Sequence, residues 1–307
     1  MNNNRPFRIK TINEFHRVRN LSKPLHPLIS VVNLQEAQKF PETVSKVQLD
    51  FYSISLRRDF SGLFRYGQRE YDYDEGAMFF MAPNQIFSVN DNPKESAKAS
   101  GWKWVLLIHP DLIWNTSLAK TIRKYEFFNY SVNEALFLSE KEEQIIDGII
   151  ANIEEECKNN IDKFSKHILI SHIETLLNYA ERFYNRQFIT RNKAHHQVLE
   201  RLEILLTEYF NRDSLTSNGL PSVHYIAQHL NISPNYLGSL LKVLTGQTTQ
   251  QHIHEKLIEK AKEKLSTTDL SISQIAYELG FEHLQSFTKL FRNKTNLSPS
   301  EFRQLFN

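Results

Sequence analysis

Apolar residues recur at three- and four-residue spacing in SISQIAYELGFEHLQSFTKLFRNKTNLSPSEFRQ, which runs from Ser271 to Gln304. Ile272, Ile275, Ala276 and Leu279 share one helix face, and Phe287, Leu290 and Phe291 begin a second apolar stripe. Ser271 and Gln274 form a capping box ahead of the first stripe, and Gly280 stands where a helix ends through a left-handed residue. Ser298, Pro299 and Glu301 repeat the start signal, with a serine cap, proline at the first helical position and a carboxylate at the third. The spacing predicts helix, turn, helix and a third closing helix.

The same plan occurs about fifty residues upstream. Ile226, Ala227 and Leu230 match Ile275, Ala276 and Leu279 at an offset of 49, whereas Leu237, Leu241, Lys242 and Thr245 match Phe287, Phe291, Arg292 and Thr295 at an offset of 50. The downstream copy therefore carries one extra residue in its turn, and Ser233 and Pro234 cap the upstream second helix. Tandem helix-turn-helix units place their second helices in successive segments of the DNA major groove, so chemistry is expected on the exposed faces of those helices. Downstream, Gln285, Lys289 and Arg292 fall at i, i+4 and i+7, with Ser286 and Thr288 beside them. Glutamine pairs bidentately with adenine, and lysine or arginine reaches guanine or phosphate. Upstream the corresponding face offers Asn235, Ser239 and Lys242, smaller groups suited to phosphate contact and shape readout.

Toward the N terminus the pattern changes twice. From Val47 to Pro110 aromatic and β-branched residues alternate with turn signals, in VQLDFYSISLRR, LFRYGQREYDYDEG, AMFFMAPNQIFSV and WKWVLLIHP. Short strands at such spacing predict an all-β barrel or sandwich. Helical period returns at Ser139, which forms a capping box with Glu142. Ile145, Ile146, Ile149, Ile150 and Ile153 line one face of a helix from Ser139 to Lys158, and Ile168, Leu169, Ile173, Leu176, Leu177 and Ala180 line another from Asp162 to Tyr184. These stripes exceed what one small barrel needs, so a homodimer held by the two helices is expected. The polar run NRQFITRNKAHHQ, Asn185 to Gln197, reads as a linker.

Length and composition fit this division. The 307 residues, 40% of them hydrophobic, suffice for two domains with real cores. One cysteine, Cys157, excludes an intramolecular disulfide framework and suits a reducing cytoplasm. MNNNRPFRIK lacks the apolar core of a signal peptide and no apolar run has membrane-spanning length, so a cytoplasmic protein is expected. The net charge is only +2, from 37 Lys and Arg against 35 Asp and Glu, and Pro221 to Asn307 is again +2, with nine basic and seven acidic residues. From His283 to Asn307 four basic residues meet one acidic residue, for +3. Long-range steering toward DNA is therefore weak, and affinity must come from a few placed contacts and from dimeric avidity.

IAQHLNISPNYLGSLLKVLTGQ and the stretch from Ile253 to Arg303 together resemble the AraC/XylS-type transcription regulators over roughly Pro221 to Phe306. The resemblance implies two helix-turn-helix units, about 221–246 and 271–296, joined by a long helix over Thr248 to Leu265 whose apolar face is Ile253, Leu257, Ile258, Ala261 and Leu265. Two departures fall on the first unit: the position of Ser239 often holds arginine in the family, and Gly238 lies inside a helix. The family layout implies an α+β multidomain chain: a cupin-like β-barrel over 1–136, a helical dimerisation pair over 137–185, a linker over 186–197 and an all-α DNA-binding domain over 198–307. It also implies double-stranded DNA as partner, a small-molecule effector, and activation by recruitment of RNA polymerase.

The rival reading is a cupin-like small-ligand-binding protein or enzyme with a helical appendage. Cupin enzymes hold a metal with clustered histidines, whereas this chain has no histidine between Pro27 and Ile108. His252 and His254 are two apart and point to different helix faces, and none of the nine glycines forms a G-x-G phosphate loop. No metal, cofactor or enzymatic activity is therefore expected. Tyr52, Tyr66, Tyr71 and Tyr73 offer rings with hydroxyl handles for an effector site, with Tyr52, Tyr66 and Tyr73 preferred, although packing across strands is the favoured explanation of them.

Overall fold

The aromatic and β-branched run after Val44 divides into two strands at Asp50 and Phe51, where the chain turns. This division is seen in a computed structural model that describes residues 6–41, 43–58, 76–88, 101–130, 134–159, 162–190, 192–211, 215 and 219–305. The chain separates into two units, Met1–Gln187 and Phe188–Asn307. In the first, the strands are β1 (Phe7–Ile9), β2 (Ile29–Asn33), β3 (Lys46–Leu49), β4 (Tyr52–Arg57), β5 (Ala77–Met81), β6 (Ile86–Ser88), β7 (Trp102–Ile108) and β8 (Leu136–Phe137). The helices are α1 (Ile12–Val18), α2 (Pro110–Ile113), α3 (Ser117–Thr121), α4 (Glu140–Lys158) and α5 (Ser165–Thr190), whose last three residues fall in the second unit.

Two sheets form. The smaller has the order β1-β3-β6, with β1 parallel to β3, and the larger has the order β2-β7-β4-β5-β8, antiparallel throughout. Among the described residues each sheet is open rather than closed on itself, so the arrangement is two facing sheets. Their shared core contains Ile9, Val47 and Leu49 from the small sheet and Val32, Val105 and Leu107 from the large one, with Ile12 and Phe15 of α1. The opposite face of the large sheet is buried too. Leu56 pairs with Trp104 and Ile54 with Leu106, and on this side the Trp104 indole donates to Asp147 of α4 at 3.0 Å while Phe80 packs on Tyr184 of α5. A strand covered on both faces has no polar side to show, which accounts for the continuous apolar run WVLLI from Trp104 to Ile108.

Both long helices are tied to this sheet by polar side chains. Buried Glu143 of α4 accepts from Arg58 at 2.6 Å and Lys103 at 3.2 Å. A Cβ at Gly76 would stand 2.9 Å from Leu56 Cδ1 and 3.1 Å from Glu143 Oε2, so the helix approaches the sheet closely and a side chain here would have to displace the ends of Leu56 and Glu143. On α5, Arg186 pairs with Glu142 and donates to the Phe137 carbonyl at 2.8 Å. Gln187, almost fully buried, accepts from the Phe137 amide at 2.8 Å and donates to the Ala135 carbonyl at 3.2 Å, replacing ladder partners for β8.

Several expectations change. The capping box of Ser139 and Glu142 forms as the spacing predicts. However, α5 continues past Tyr184 to Thr190, and helix resumes at Asn192, so the stretch expected as a linker is largely helical. Phe183, Tyr184, Gln187 and Phe188 extend the buried stripe and no glycine or proline interrupts it, which removes the reason to stop. Of the five isoleucines on α4, Ile146, Ile149, Ile150 and Ile153 are buried within the chain and Ile145 is exposed. On α5, Leu169, Ile173, Leu176, Leu177 and Ala180 are buried and Ile168 is exposed. The apolar excess expected to hold a dimer is thus mostly consumed internally. The strand expected within LFRYGQREYDYDEG lies outside the described residues up to Glu75.

The second unit is helical: α6 (Asn192–Asn211), α7 (Val223–Leu230), α8 (Pro234–Thr245), α9 (Thr249–Thr267), α10 (Ile272–Glu278), α11 (Leu284–Thr295) and α12 (Pro299–Arg303). Its core lines α9 with Ile253, Leu257, Ile258, Ala261 and Leu265, the face expected from their spacing.

Gln187→Ala removes both buried hydrogen bonds to β8 and is expected to destabilise the N-terminal unit by about 1–3 kcal/mol. Urea unfolding followed by tryptophan fluorescence tests this, and an unchanged midpoint would show that water or neighbouring groups replace the amide.

Candidate nucleic-acid interface

The helix-turn-helix pairs form where the two sequence copies place them, and the correspondence extends through the caps. Ser222 caps α7 by accepting from the Tyr225 amide, and Ser271 caps α10 by accepting from the Gln274 amide. At the other ends, Asn231 has φ 57° and Gly280 has φ 82°. Each helix then closes in the same way: the Ile232 amide donates to the Ala227 carbonyl at 3.0 Å, and the Phe281 amide donates to the Ala276 carbonyl at 3.0 Å. Ile226, Ala227 and Leu230 are buried, as are Ile275, Ala276 and Leu279.

The second helices correspond equally well. Leu237 and Leu241 of α8, and Phe287 and Phe291 of α11, are fully buried. Thr245 donates back to the Leu241 carbonyl at 2.7 Å and Thr295 to the Phe291 carbonyl at 2.8 Å. Gly246 at φ 74° and Asn296 at φ 61° end the two helices. Capping boxes then start α9, from Thr248 and Gln251, and α12, from Ser298 and Glu301. The long helix joining the units is therefore also the third helix of the first copy, a relation the sequence carried in Thr248-x-x-Gln251 and Ser298-x-x-Glu301 at the same offset of 50. The copies differ at one cap. Ser233 accepts from the Tyr236 amide at 3.2 Å, whereas His283 makes no side-chain cap bond for α11.

Burying the apolar stripes leaves the predicted polar stripes outward. Gln285, Ser286, Lys289 and Arg292 are exposed on α11 and Thr288 is half-buried; on α8, Asn235 and Lys242 are exposed and Ser239 is half-buried. Position by position, Asn235, Gly238, Ser239 and Lys242 correspond to Gln285, Thr288, Lys289 and Arg292. Asn235, Lys242, Gln285 and Lys289 make no side-chain hydrogen bond or ion pair with another described residue. Arg292 lies near enough to Glu301 to contribute to its lowered pKa, although the main cause is the Ser298 amide in the capping box. Such groups are solvated donors and acceptors held at fixed spacing and free to exchange water for another surface.

Other charges in this unit are already engaged. Lys264 of α9 meets Glu278 of α10 at 2.6 Å, and Lys294 meets Glu255 at 3.8 Å. His252 lies 3.0 Å from the Thr245 hydroxyl, and His254 lies 3.0 Å from the Gln250 amide nitrogen, with its pKa lowered by burial and by Lys294. Among the described residues no group of three or more His, Cys, Asp or Glu is arranged to hold a metal, and no helix is long and apolar enough to cross a membrane. In the N-terminal unit, Tyr52 is half-buried with its ring edge-on to Phe128 at 5.1 Å, and burial raises its pKa. That is the packing alternative for this tyrosine. Tyr66, Tyr71 and Tyr73 lie outside the described residues.

Residues 226–305 match the family model described as a helix-turn-helix domain. The chain is 25% identical over 269 residues to the uncharacterized HTH-type transcriptional regulator YfiF of Bacillus subtilis, covering 83% of this chain and 77% of that protein. It is 28% identical over 127 residues to the arabinose operon regulatory protein of Escherichia coli, covering 41% of this chain and 43% of that one. The C-terminal domain of the two-component response regulator yesN from Fusobacterium nucleatum is a solved structure of 25% identity, covering 35% of this chain and 98% of that chain at a TM-score of 0.31. Of other curated relatives the chain spans about half the length or less, from 51% down to 10%.

Gly280 gives this frame a specific test. Besides its left-handed φ, a Cβ there would stand 2.9 Å from the Leu215 carbonyl oxygen. Gly280→Ala is expected to cost about 1–3 kcal/mol from backbone strain alone, read as a lower thermal midpoint of residues 188–307 within the full chain. A midpoint equal to that of the parent chain would mean that the turn relaxes freely.

Proposed function

We propose that the protein is a sequence-specific DNA-binding transcription regulator of the AraC/XylS type whose α8 and α11 enter successive major-groove segments, a reading supported by the helix-turn-helix match over residues 226–305 and the likeness to the arabinose operon regulatory protein. The observation that carries this reading is the pair of outward polar stripes set at an offset of 50 on two corresponding three-helix frames. A single polar helix face is ordinarily a solvated surface, whereas two in tandem on a repeated scaffold match the repeat of the duplex.

Within that reading, Gln285 and Lys289 supply base contacts, Arg292 contacts base or phosphate, and Ser286 and Thr288 support them at the groove edge. Asn235, Ser239 and Lys242 contribute contacts of shorter reach. With a whole-chain charge of +2, binding depends on these placed groups more than on a diffuse basic field.

The N-terminal unit, cupin-like in its succession of strands followed by a helical pair, is proposed to sense a small effector and to dimerise. The alignment with YfiF covers 83% of this chain, so the unit accompanies the DNA-binding domain in that relative. A homodimer would use the exposed side of α4 and the start of α5, where Ile145, Phe164 and Ile168 remain accessible. The direction of regulation is proposed as activation, with RNA polymerase as partner, on family resemblance. A cytoplasmic location is the one that gives such a protein access to DNA.

Selection of duplexes from a random pool with the full chain should return two half-elements about one helical turn apart. Gln285→Ala combined with Lys289→Ala is expected to weaken binding to that sequence by more than about 1 kcal/mol while leaving nonspecific binding nearly unchanged. Equal loss on specific and random duplexes would reassign both residues to the phosphate backbone. Sedimentation at micromolar concentration is expected to give a dimer, and a monomer bound to one half-element would remove the dimer from the proposal.

A further inference from the structure

Gly238 lies inside α8 as its fifth residue, where glycine destabilises a helix relative to alanine. Glycine in such a place normally answers to a close neighbour or a left-handed backbone. Neither applies here. Gly238 is absent from the positive-φ residues, and a Cβ built on it would meet no atom within 4 Å. Gly76 and Gly280, by contrast, face atoms at 2.9 Å. What distinguishes Gly238 is its position, since Asn235, Gly238, Ser239 and Lys242 fall at i, i+3, i+4 and i+7 and form the outward stripe of the first recognition helix. The matching stripe of α11 is Gln285, Thr288, Lys289 and Arg292, and at every position its side chain is the longer.

We infer that Gly238 is the point of closest approach between α8 and the DNA, so that the first unit seats its helix backbone deeper in the groove than the second. The inference rests on the DNA-binding reading and specifies how its two halves differ. A shorter asparagine, a serine and an absent side chain lower the stripe by a consistent amount, which lets the backbone near Gly238 meet base edges, including a thymine methyl, that a Cβ would displace. The second unit holds its backbone farther out and bridges the gap with Gln285 and Lys289.

The test uses the full chain and the duplex that the parent protein selects, with Gly238→Ala and Gly238→Thr compared with the parent for thermal midpoint, affinity and footprint. Gly238→Ala is expected to raise the midpoint by a few degrees, because it relieves the glycine cost in an open site, and yet to weaken binding about tenfold. Gly238→Thr, which installs the residue of the second unit, is expected to weaken it further and to remove protection over one half-element only. Affinity of Gly238→Ala within about twofold of the parent would overturn the inference while leaving the DNA-binding reading intact. A parent chain that selects no sequence from the pool would instead overturn both.

Discussion

A helix of twelve residues does not hold itself together in water, so α8 and α11 exist only because their apolar stripes are buried against the rest of the C-terminal unit. That single requirement settles much else. With Leu237, Leu241, Phe287 and Phe291 fully buried, each helix has only one rotation about its axis, and the residues at i, i+3, i+4 and i+7 on the other side are the ones left outside. The surface offered to a duplex is thus the complement of the core. Function and stability occupy opposite faces of the same two helices, and neither can be altered by rotating the helix without loss of the other.

The helix ends make that burial reproducible in both copies. Serine and threonine side chains satisfy the leading amides, and left-handed residues at Asn231, Gly246, Gly280 and Asn296 turn the chain so that the trailing carbonyls find partners. Because these caps recur at offsets of 49 and then 50, the units are two executions of one three-helix plan, with α9 serving as third helix of the first and as bridge to the second. The copies diverge in the core as well, with Tyr236, Leu237 and Leu241 against Ser286, Phe287 and Phe291, and on the outward stripes they differ in charge and reach. Divergence of the solvent face is what two different half-elements of DNA would require of one scaffold.

The N-terminal unit obeys a different logic. Its large sheet is covered on both faces, by the small sheet on one side and by α4 and α5 on the other, so the polar groups that remain inside must find partners there. Glu143 does so with Arg58 and Lys103, and Gln187 does so with the backbone of β8. Polar clamps of this kind fix the helices to the sheet more specifically than the apolar contacts do, because an amide or carboxylate displaced by one turn would be left buried without a partner. They also explain why most of the isoleucine stripe on α4 is used within the chain rather than kept for a second copy.

The sequence by itself determined the double helix-turn-helix frame, its caps and the identity of the outward residues, since all of these are set by relations within seven residues or by a repeat that can be counted. It also carried a T-x-x-E start signal at Thr11 and Glu14 for α1, where Thr11 accepts from the Glu14 amide and the Glu14 carboxylate accepts from the Lys10 amide, although so short a helix shows too few periods to stand out. Tertiary structure alone decided the rest. Three residues from Phe7 to Ile9 form a strand only because Val47 to Leu49, forty residues later, lie parallel beside them. Likewise α5 outlasts its expected end because Phe188 has somewhere to be buried, and Ile145 differs from its four neighbours only in what faces it. Periodicity is a property of the local chain, whereas the partner that a side chain meets is chosen by segments far away in sequence, and burial records that choice.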